Sequence, residues 1–258
     1  MKLFCFGYGY TAGYFAKAHN WQSVYGTHRN SFPLDEEGKK ALREATHILV
    51  SIPPDKDGDL VLRQKYEMNP EWVGYLSTTG VYGNHDGGWV DESTPTNPNN
   101  DRSDWRVKAE TEWLKSGLPV NVFRLSGIYG AGRSVIDDLK MGMAKRIDKP
   151  NQLFSRIHVE DIVQILSKSF AVKGEIFNCA DDYPCSSAEV VEYAAKLIGV
   201  EPPPLVPFEK AQLSEMARSF YSSSRRTKNE KIKKMLGVSL KYPTYKEGLA
   251  QILQCDIG

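Results

Sequence analysis

The first thirteen residues, MKLFCFGYGYTAG, constrain this chain more than any other stretch. Lys2 to Phe6 is a short apolar run rich in β-formers, and it breaks at once into Gly7, Gly9, Ala12 and Gly13 ahead of Tyr14, Phe15 and Ala18 at helical spacing. That order predicts a strand, a tight glycine turn and a helix. A glycine at the first position lets the chain turn sharply, one at the second lets backbone approach a pyrophosphate, and a small third residue, Ala12, lets helix pack on strand. Free amides at the helix start, around Tyr10 and Thr11, then face an anion. A turn that uses its glycines only for shape is the alternative; the strand before and the helix after favour dinucleotide binding.

Lys and Arg number 33 against 32 Asp and Glu, for a net charge of +1, so no global attraction to nucleic acid or an anionic membrane is expected. The 258 residues suffice for one large α/β unit or for one with an added lobe. Cys5, Cys179, Cys185 and Cys255 are scattered, without a CxxC pair or metal-ligand spacing, and read as thiols of a reducing compartment. No apolar run nears the ~20 residues of a membrane span, and the first strand opens the chain without a leader, so a cytoplasmic protein is expected.

Along the chain, Ser23 to Thr27 reads as a second strand, followed by His28 and Arg29. An acidic residue here would accept from a ribose 2′-hydroxyl, whereas an Arg accommodates a 2′-phosphate. Arg29 therefore favours NADP, with NAD as the alternative cofactor and an exposed basic loop as the alternative reading. Asp35 to Glu44 is a charged helical segment that leaves no third strand before His47 to Ile52 (HILVSI), a buried parallel strand by its continuous apolarity. Ser51, Ile52 and Pro53 stand at its carboxyl end, where a cofactor would lie. The next strand, Trp72 to Leu76, runs into Ser77 and Thr78, and Ser77 joins that cofactor set.

Three motifs in register with the glycine turn, STTGVYG, RLSGIYGAGR (Arg124 to Arg133) and RIHVEDI (Arg156 to Ile162), resemble the extended short-chain dehydrogenase/reductase group, the NAD(P)-dependent epimerases and dehydratases. The short stretch after the second strand, with SIPPD and WRVKAE, is most similar to its atypical branch. The resemblance implies an α/β Rossmann fold, a doubly wound parallel sheet with a small C-terminal substrate lobe. Residues 1–133 and 155–182 would form the dinucleotide-binding domain, and 134–154 and 183–258 the lobe.

The family's chemistry uses a Ser/Thr, a Tyr and a Lys, the Tyr exchanging a proton with the substrate oxygen that the Ser/Thr holds. Thr78 matches the Ser/Thr place. The Tyr-x-x-x-Lys pair is missing: taking Lys108 as the Lys puts Asp104 at the Tyr place, and registering on Glu110 puts Arg102 and Arg106 in the two places. Arg106 or Lys108 is then expected to bind the nicotinamide ribose, a solvated helix face being the alternative. No Tyr lies between Gly83 and Val122. Tyr82 and Tyr129 are thus the phenols in motifs that flank the nicotinamide site. Tyr129 is placed ahead of Tyr82, although each is more often a packing residue in its motif.

The loop after strand Val120 to Leu125 borders nicotinamide and substrate in the family, which makes Arg133 a candidate for the substrate. His158, just ahead of a helix from Val159 to Phe170, reads as a structural hydrogen-bonder or a wall of the site. Ser186 and Glu189 predict a capping box on a helix from Ser187 to Ile198. Arg225 and Arg226 open a basic cluster; with the near-zero net charge, an anionic substrate group is a better partner for them than nucleic acid. Two function classes remain: an NADP-dependent oxidoreductase or epimerase acting on a small or nucleotide-linked polar metabolite, and a non-catalytic NADP-binding sensor. A monomer or homodimer is expected, with no metal.

Overall fold

The computed structural model describes residues 1–257. Its centre is a parallel sheet of six strands: β1 (Lys2–Phe6), β2 (Ser23–Gly26), β3 (His47–Val50), β4 (Trp72–Thr78), β6 (Val120–Leu125) and β10 (Ile176–Cys179). They are ordered β10-β6-β4-β3-β1-β2. The first strand therefore lies between the second and the third, and the connections leave in opposite directions on either side of it. In an open α/β sheet that reversal opens a crevice outside the carboxyl ends of the strands. As the charged composition of Asp35 to Glu44 predicts, that stretch forms helix α2 (Glu36–Glu44), capped by the Asp35 carboxylate accepting from Gly38 N–H, and no strand intervenes before β3.

The strand sequences are apolar on both sides because both faces are covered. Leu3, Cys5, Leu49, Trp72, Leu76 and Phe123 pack on one face with helices α1 (Tyr10–Lys17), α6 (Val159–Lys168) and α9 (Glu230–Leu236). Phe4, Phe6, Ile48, Val50, Val73 and Tyr75 pack on the other with α2, α3 (Leu60–Arg63) and α4 (Asp101–Leu114). Alternate residues of β1 thus serve opposite cores, and each fully buried large side chain contributes roughly 1.5–3 kcal/mol.

Three short parallel pairs lie beside this sheet: β5 (Trp89–Val90) with β12 (Arg226–Thr227), β7 (Gly127–Tyr129) with β9 (Arg156–His158), and β8 (Arg146–Asp148) with β11 (Leu205–Pro207). A separate core joins α5 (Val135–Lys140), α7 (Ser187–Leu197) and α10 (Tyr245–Ile257) through Ile136, Val190, Ala194, Leu249 and Ile252. Helix α8 (Glu215–Phe220) precedes β12. The capping box expected on α7 is half made. Ser186 Oγ accepts from Glu189 N–H, but the Glu189 carboxylate turns away to accept from Tyr245 Oη at 3.0 Å. Cys5, Cys179 and Cys185 are buried free thiols, whose burial pushes Cys5 up to about 12 and Cys185 to about 11. The Cys255 side chain and Gly258 lie outside the described residues.

Candidate active site

The glycine turn is braced from both neighbouring strands. Gly7 N–H donates to Thr27 Oγ1 at 2.9 Å, and Ser51 Oγ donates to Gly7 O at 2.6 Å. At Gly7 φ is +88°, and a Cβ would come within 2.6 Å of Ser51 Oγ, so glycine alone fits. At Gly9 a Cβ would meet nothing within 4 Å, which puts open space directly against the turn. Gly9 caps α1, and no side chain caps it, so the amides of Tyr10, Thr11 and Ala12 face that space as uncapped donors.

The space is a cavity of about 800 Å³ along the carboxyl ends of the central strands, within the range of small-molecule sites. It brings together Gly9, Tyr10, Thr11, Ala12, Ser51, Ser77, Thr78, Arg106, Arg133 and Arg225 from the sequence-predicted set. Gly7, Arg29, Ile52 and Pro53 lie outside its lining: Gly7 shapes the turn from behind, Ile52 packs against the α2–α4 core, and Arg29 is exposed in the turn after β2.

Four other sequence expectations are corrected. Tyr82 is fully buried, its hydroxyl donating to Asn178 Oδ1 at 2.8 Å and accepting from Arg124 Nη1 at 3.0 Å. Tyr129 is sealed under α10, where a Cβ on Gly248 would stand 2.2 Å from its hydroxyl, and it donates to Thr244 O. Neither phenol reaches the cavity; both are packing residues. Lys108 points to solvent and pairs with Asp104 at 2.6 Å, one turn along the helix. Arg226 lies over the Trp89 ring at 4.9 Å and donates to Gly87 O, outside the cavity lining.

Sequence reasoning missed Ser103, Arg156 and Tyr221 and gave Arg102 no role, and all four line the cavity. The available signal was the four-residue spacing of Arg102 and Arg106 with Ser103 between them, which puts all three on the first turns of one helix. Arg106 Nη1 donates to Leu76 O at 2.7 Å and Tyr75 Oη at 3.3 Å, clamping α4 to the end of β4. Thr78 Oγ1 accepts from Gly80 N–H at 3.0 Å, so its own hydrogen is free to donate.

Behind this edge lies a buried ionic network. Glu110, on α4, accepts from Arg124 Nη2 at 2.7 Å and Nε at 3.2 Å and from the Ser77 hydroxyl, with both ionic side chains almost wholly excluded from water. It ties β4, β6 and α4 together below the cavity.

The charge of the lining is one-sided. Arg102, Arg106, Arg133, Arg156 and Arg225 all contribute, while among the described residues the lining holds no Asp, Glu, Lys, His or Cys. None of the five arginines makes an ion pair with a described carboxylate. Arg225 is largely enclosed: its Nη1 donates to Gly83 O and Ser223 Oγ, its Nε has no partner among the described residues, and burial lowers its pKa to about 10. A buried guanidinium without a counter-ion is costly, which marks a place for an anion. Arg133 lies 5.6 Å over the Tyr10 ring, and Tyr10 Oη donates to Ala131 O at 3.0 Å, so the loop after β7 is fastened to the start of α1. Burial raises the Tyr10 phenol above its ordinary range. His158 caps α6 through Nδ1 and is buried, and burial lowers its pKa to about 4.

No family model matches this sequence, and no curated protein does. Among solved structures, a functionally unknown conserved protein from Silicibacter pomeroyi DSS shares 44% identity over 99% of both chains, with a TM-score of 0.87. dTDP-glucose 4,6-dehydratase from Bacillus anthracis str. Ames, in complex with NAD, is 19% identical over 98% of this chain and 96% of its own, with a TM-score of 0.75. The human epimerase family protein SDR39U1 with NADPH is 15% identical over 98% and 99%, also with a TM-score of 0.75. The architecture, a six-stranded parallel sheet flanked by helices, is the fold of these last two proteins. The chain belongs to the same family as the Silicibacter pomeroyi protein.

Proposed function

We propose that this protein binds NADP(H) along the carboxyl edge of its sheet and transfers a hydride to or from a small or nucleotide-linked polar metabolite that carries negative charge. The observation that carries the reading is the cavity itself, where uncapped amides at the start of α1 and five arginines converge without a carboxylate. The residues fit the cofactor: Gly9 leaves room for a pyrophosphate, the amides of Tyr10 to Ala12 donate to it, and Thr27 at the end of β2 presents no carboxylate against a 2′-phosphate. Arg29, exposed in the turn after β2 and without a described ion pair, is the candidate to meet that phosphate. Bound NADP(H) would supply or accept the hydride. Thr78 holds the reacting oxygen as a donor, and the positive field of the cavity arginines favours negative charge growing on it, a preorganised electrostatic role that needs no proton from Arg. The proton reaches that oxygen from water.

A second reading, an NADP-binding sensor without turnover, is favoured by one observation: the described lining holds no Asp, Glu, Lys, His or Cys, and its two phenols, Tyr10 and Tyr221, are already hydrogen-bonded to Ala131 O and Ser187 Oγ. Calorimetric titration with NADPH and NADH, followed by a screen of carbonyl metabolites for NADPH oxidation, separates the readings. Failure of both nucleotides to bind would refute both; tight NADPH binding without turnover of any carbonyl would select the sensor.

A further inference from the structure

The cations of the cavity are not gathered in one place, and their division defines a substrate class. Arg156 and Arg225 belong to the wall made by the short strand pairs. Arg102 and Arg106 stand on α4, one turn apart, beside two hydroxyls. Thr78 Oγ1 and Ser103 Oγ lie 3.3 and 3.2 Å from the single point where a Cβ on Gly80 would stand, so both converge next to that glycine. Ser103 is buried, and its hydroxyl has no hydrogen-bond partner among the described residues. Arg106 spends Nη1 on Leu76 O and Tyr75 Oη, and its remaining N–H groups have no described partner. Arg102 makes no described ion pair.

Two donors that hold a reacting oxygen thus have two uncompensated guanidinium groups on the same helix turns. In a nucleotide-linked sugar the phosphates lie several bonds from the reacting carbon; they would satisfy the far wall and leave the α4 pair without a counter-ion. We infer that the substrate carries its anionic group directly on the reacting carbon, as a 2-oxo acid and its 2-hydroxy acid do, or the corresponding phosphonates. Arg102 and Arg106 hold the anion, and Thr78 and Ser103 hold the oxygen. In the reduction, the carbonyl π bond is replaced by a C–H bond, made with the hydride of bound NADPH, and an O–H bond, made with a proton from water passed over one of the two hydroxyls. NADP⁺ and the 2-hydroxy acid are left. This inference rests on the cofactor reading above and adds the α4 anion site to it.

The test is calorimetry on the NADPH complex with oxamate, an unreactive 2-oxo acid mimic, with acetylphosphonate as the second anion and pyruvamide as the neutral control. NADPH affinity is measured first for each variant. Oxamate or acetylphosphonate is expected to bind the wild-type complex and pyruvamide not to. Arg102→Met and Arg106→Met should each weaken anion binding about tenfold to a hundredfold, the worth of a charge-assisted contact, while Lys108→Met, which removes a solvent-facing cation from the same helix outside the cavity, leaves it unchanged. Arg102 is exposed, so its variant stays informative if Arg106→Met folds poorly. Tighter binding of acetylphosphonate than of oxamate would assign the phosphonate member of the class. Absence of binding by both anions, equal binding of pyruvamide, or indifference to Arg102→Met would overturn the inference while leaving NADPH binding intact. No NADPH binding would remove the reading beneath it, and the inference with it.

Discussion

Replacing Glu110 by Ala should be among the most destabilising single changes in this protein. The carboxylate accepts three hydrogen bonds from Arg124 and one from Ser77, and the two ionic side chains are only 6% and 4% exposed. Truncation leaves the Arg124 guanidinium buried with only the Tyr82 hydroxyl as a polar partner. Removing one member of a buried ion pair costs about 3–5 kcal/mol, because the survivor cannot recover its hydration. At roughly 2–4 °C per kcal/mol for a chain of this size, Tm should fall by about 6–20 °C. The cost belongs to the orphaned charge and not to the attraction, so Glu110→Met with Arg124→Met should recover most of it. Urea unfolding of the wild type, Glu110→Met, Arg124→Met and the double variant closes the cycle, with Glu110→Ala measured beside it. A loss below about 1 kcal/mol in Glu110→Ala, or single-variant costs that simply add in the double variant, would refute the claim that the network acts as a unit.

Tyr82→Phe, which deletes the hydroxyl between Arg124 and Asn178, should cost about 1–3 kcal/mol of stability and leave NADPH affinity unchanged, as calorimetry beside urea melts would show. Arg29→Ala should lower the preference for NADPH over NADH about tenfold, an unchanged ratio excluding Arg29 from the 2′-phosphate. Burial of Asp181 raises its carboxyl to about 8, and one of its oxygens has no partner. The folded state therefore holds a proton that the unfolded chain releases near pH 4, and stability should fall as pH rises from about 4 to 8. Asp181→Asn should remove that slope and gain stability over the wild type as pH rises; parallel pH–stability curves would refute the assignment.

The parts of the fold read correctly from sequence are local ones. Strand, glycine turn and helix at residues 2 to 17 are written in consecutive residues, and so are the apolar run HILV and the charged helical segment that begins at Asp35. The candidate site was legible where backbone shapes it, at Gly9 to Ala12 and Thr78. It was not legible where side-chain direction depends on distant chain. Whether Tyr129 faces the cleft is decided by Gly248 pressing on its ring from α10. Tyr82 is turned inward by Arg124 and Asn178, 42 and 96 positions away. Lys108 and Arg106, two residues apart, differ in fate because one faces Asp104 and solvent and the other the carbonyl of Leu76.

The one-sided lining also bears on how a ligand arrives. With a net charge of +1 the molecule as a whole exerts almost no pull on an anion at a distance. Within the cleft the five guanidinium groups act through low-dielectric walls, which concentrate their field at the mouth. Capture should therefore begin only within about one Debye length of the opening, roughly 8 Å at physiological ionic strength. Association would quicken as salt is diluted, and the release of bound anion would change far less.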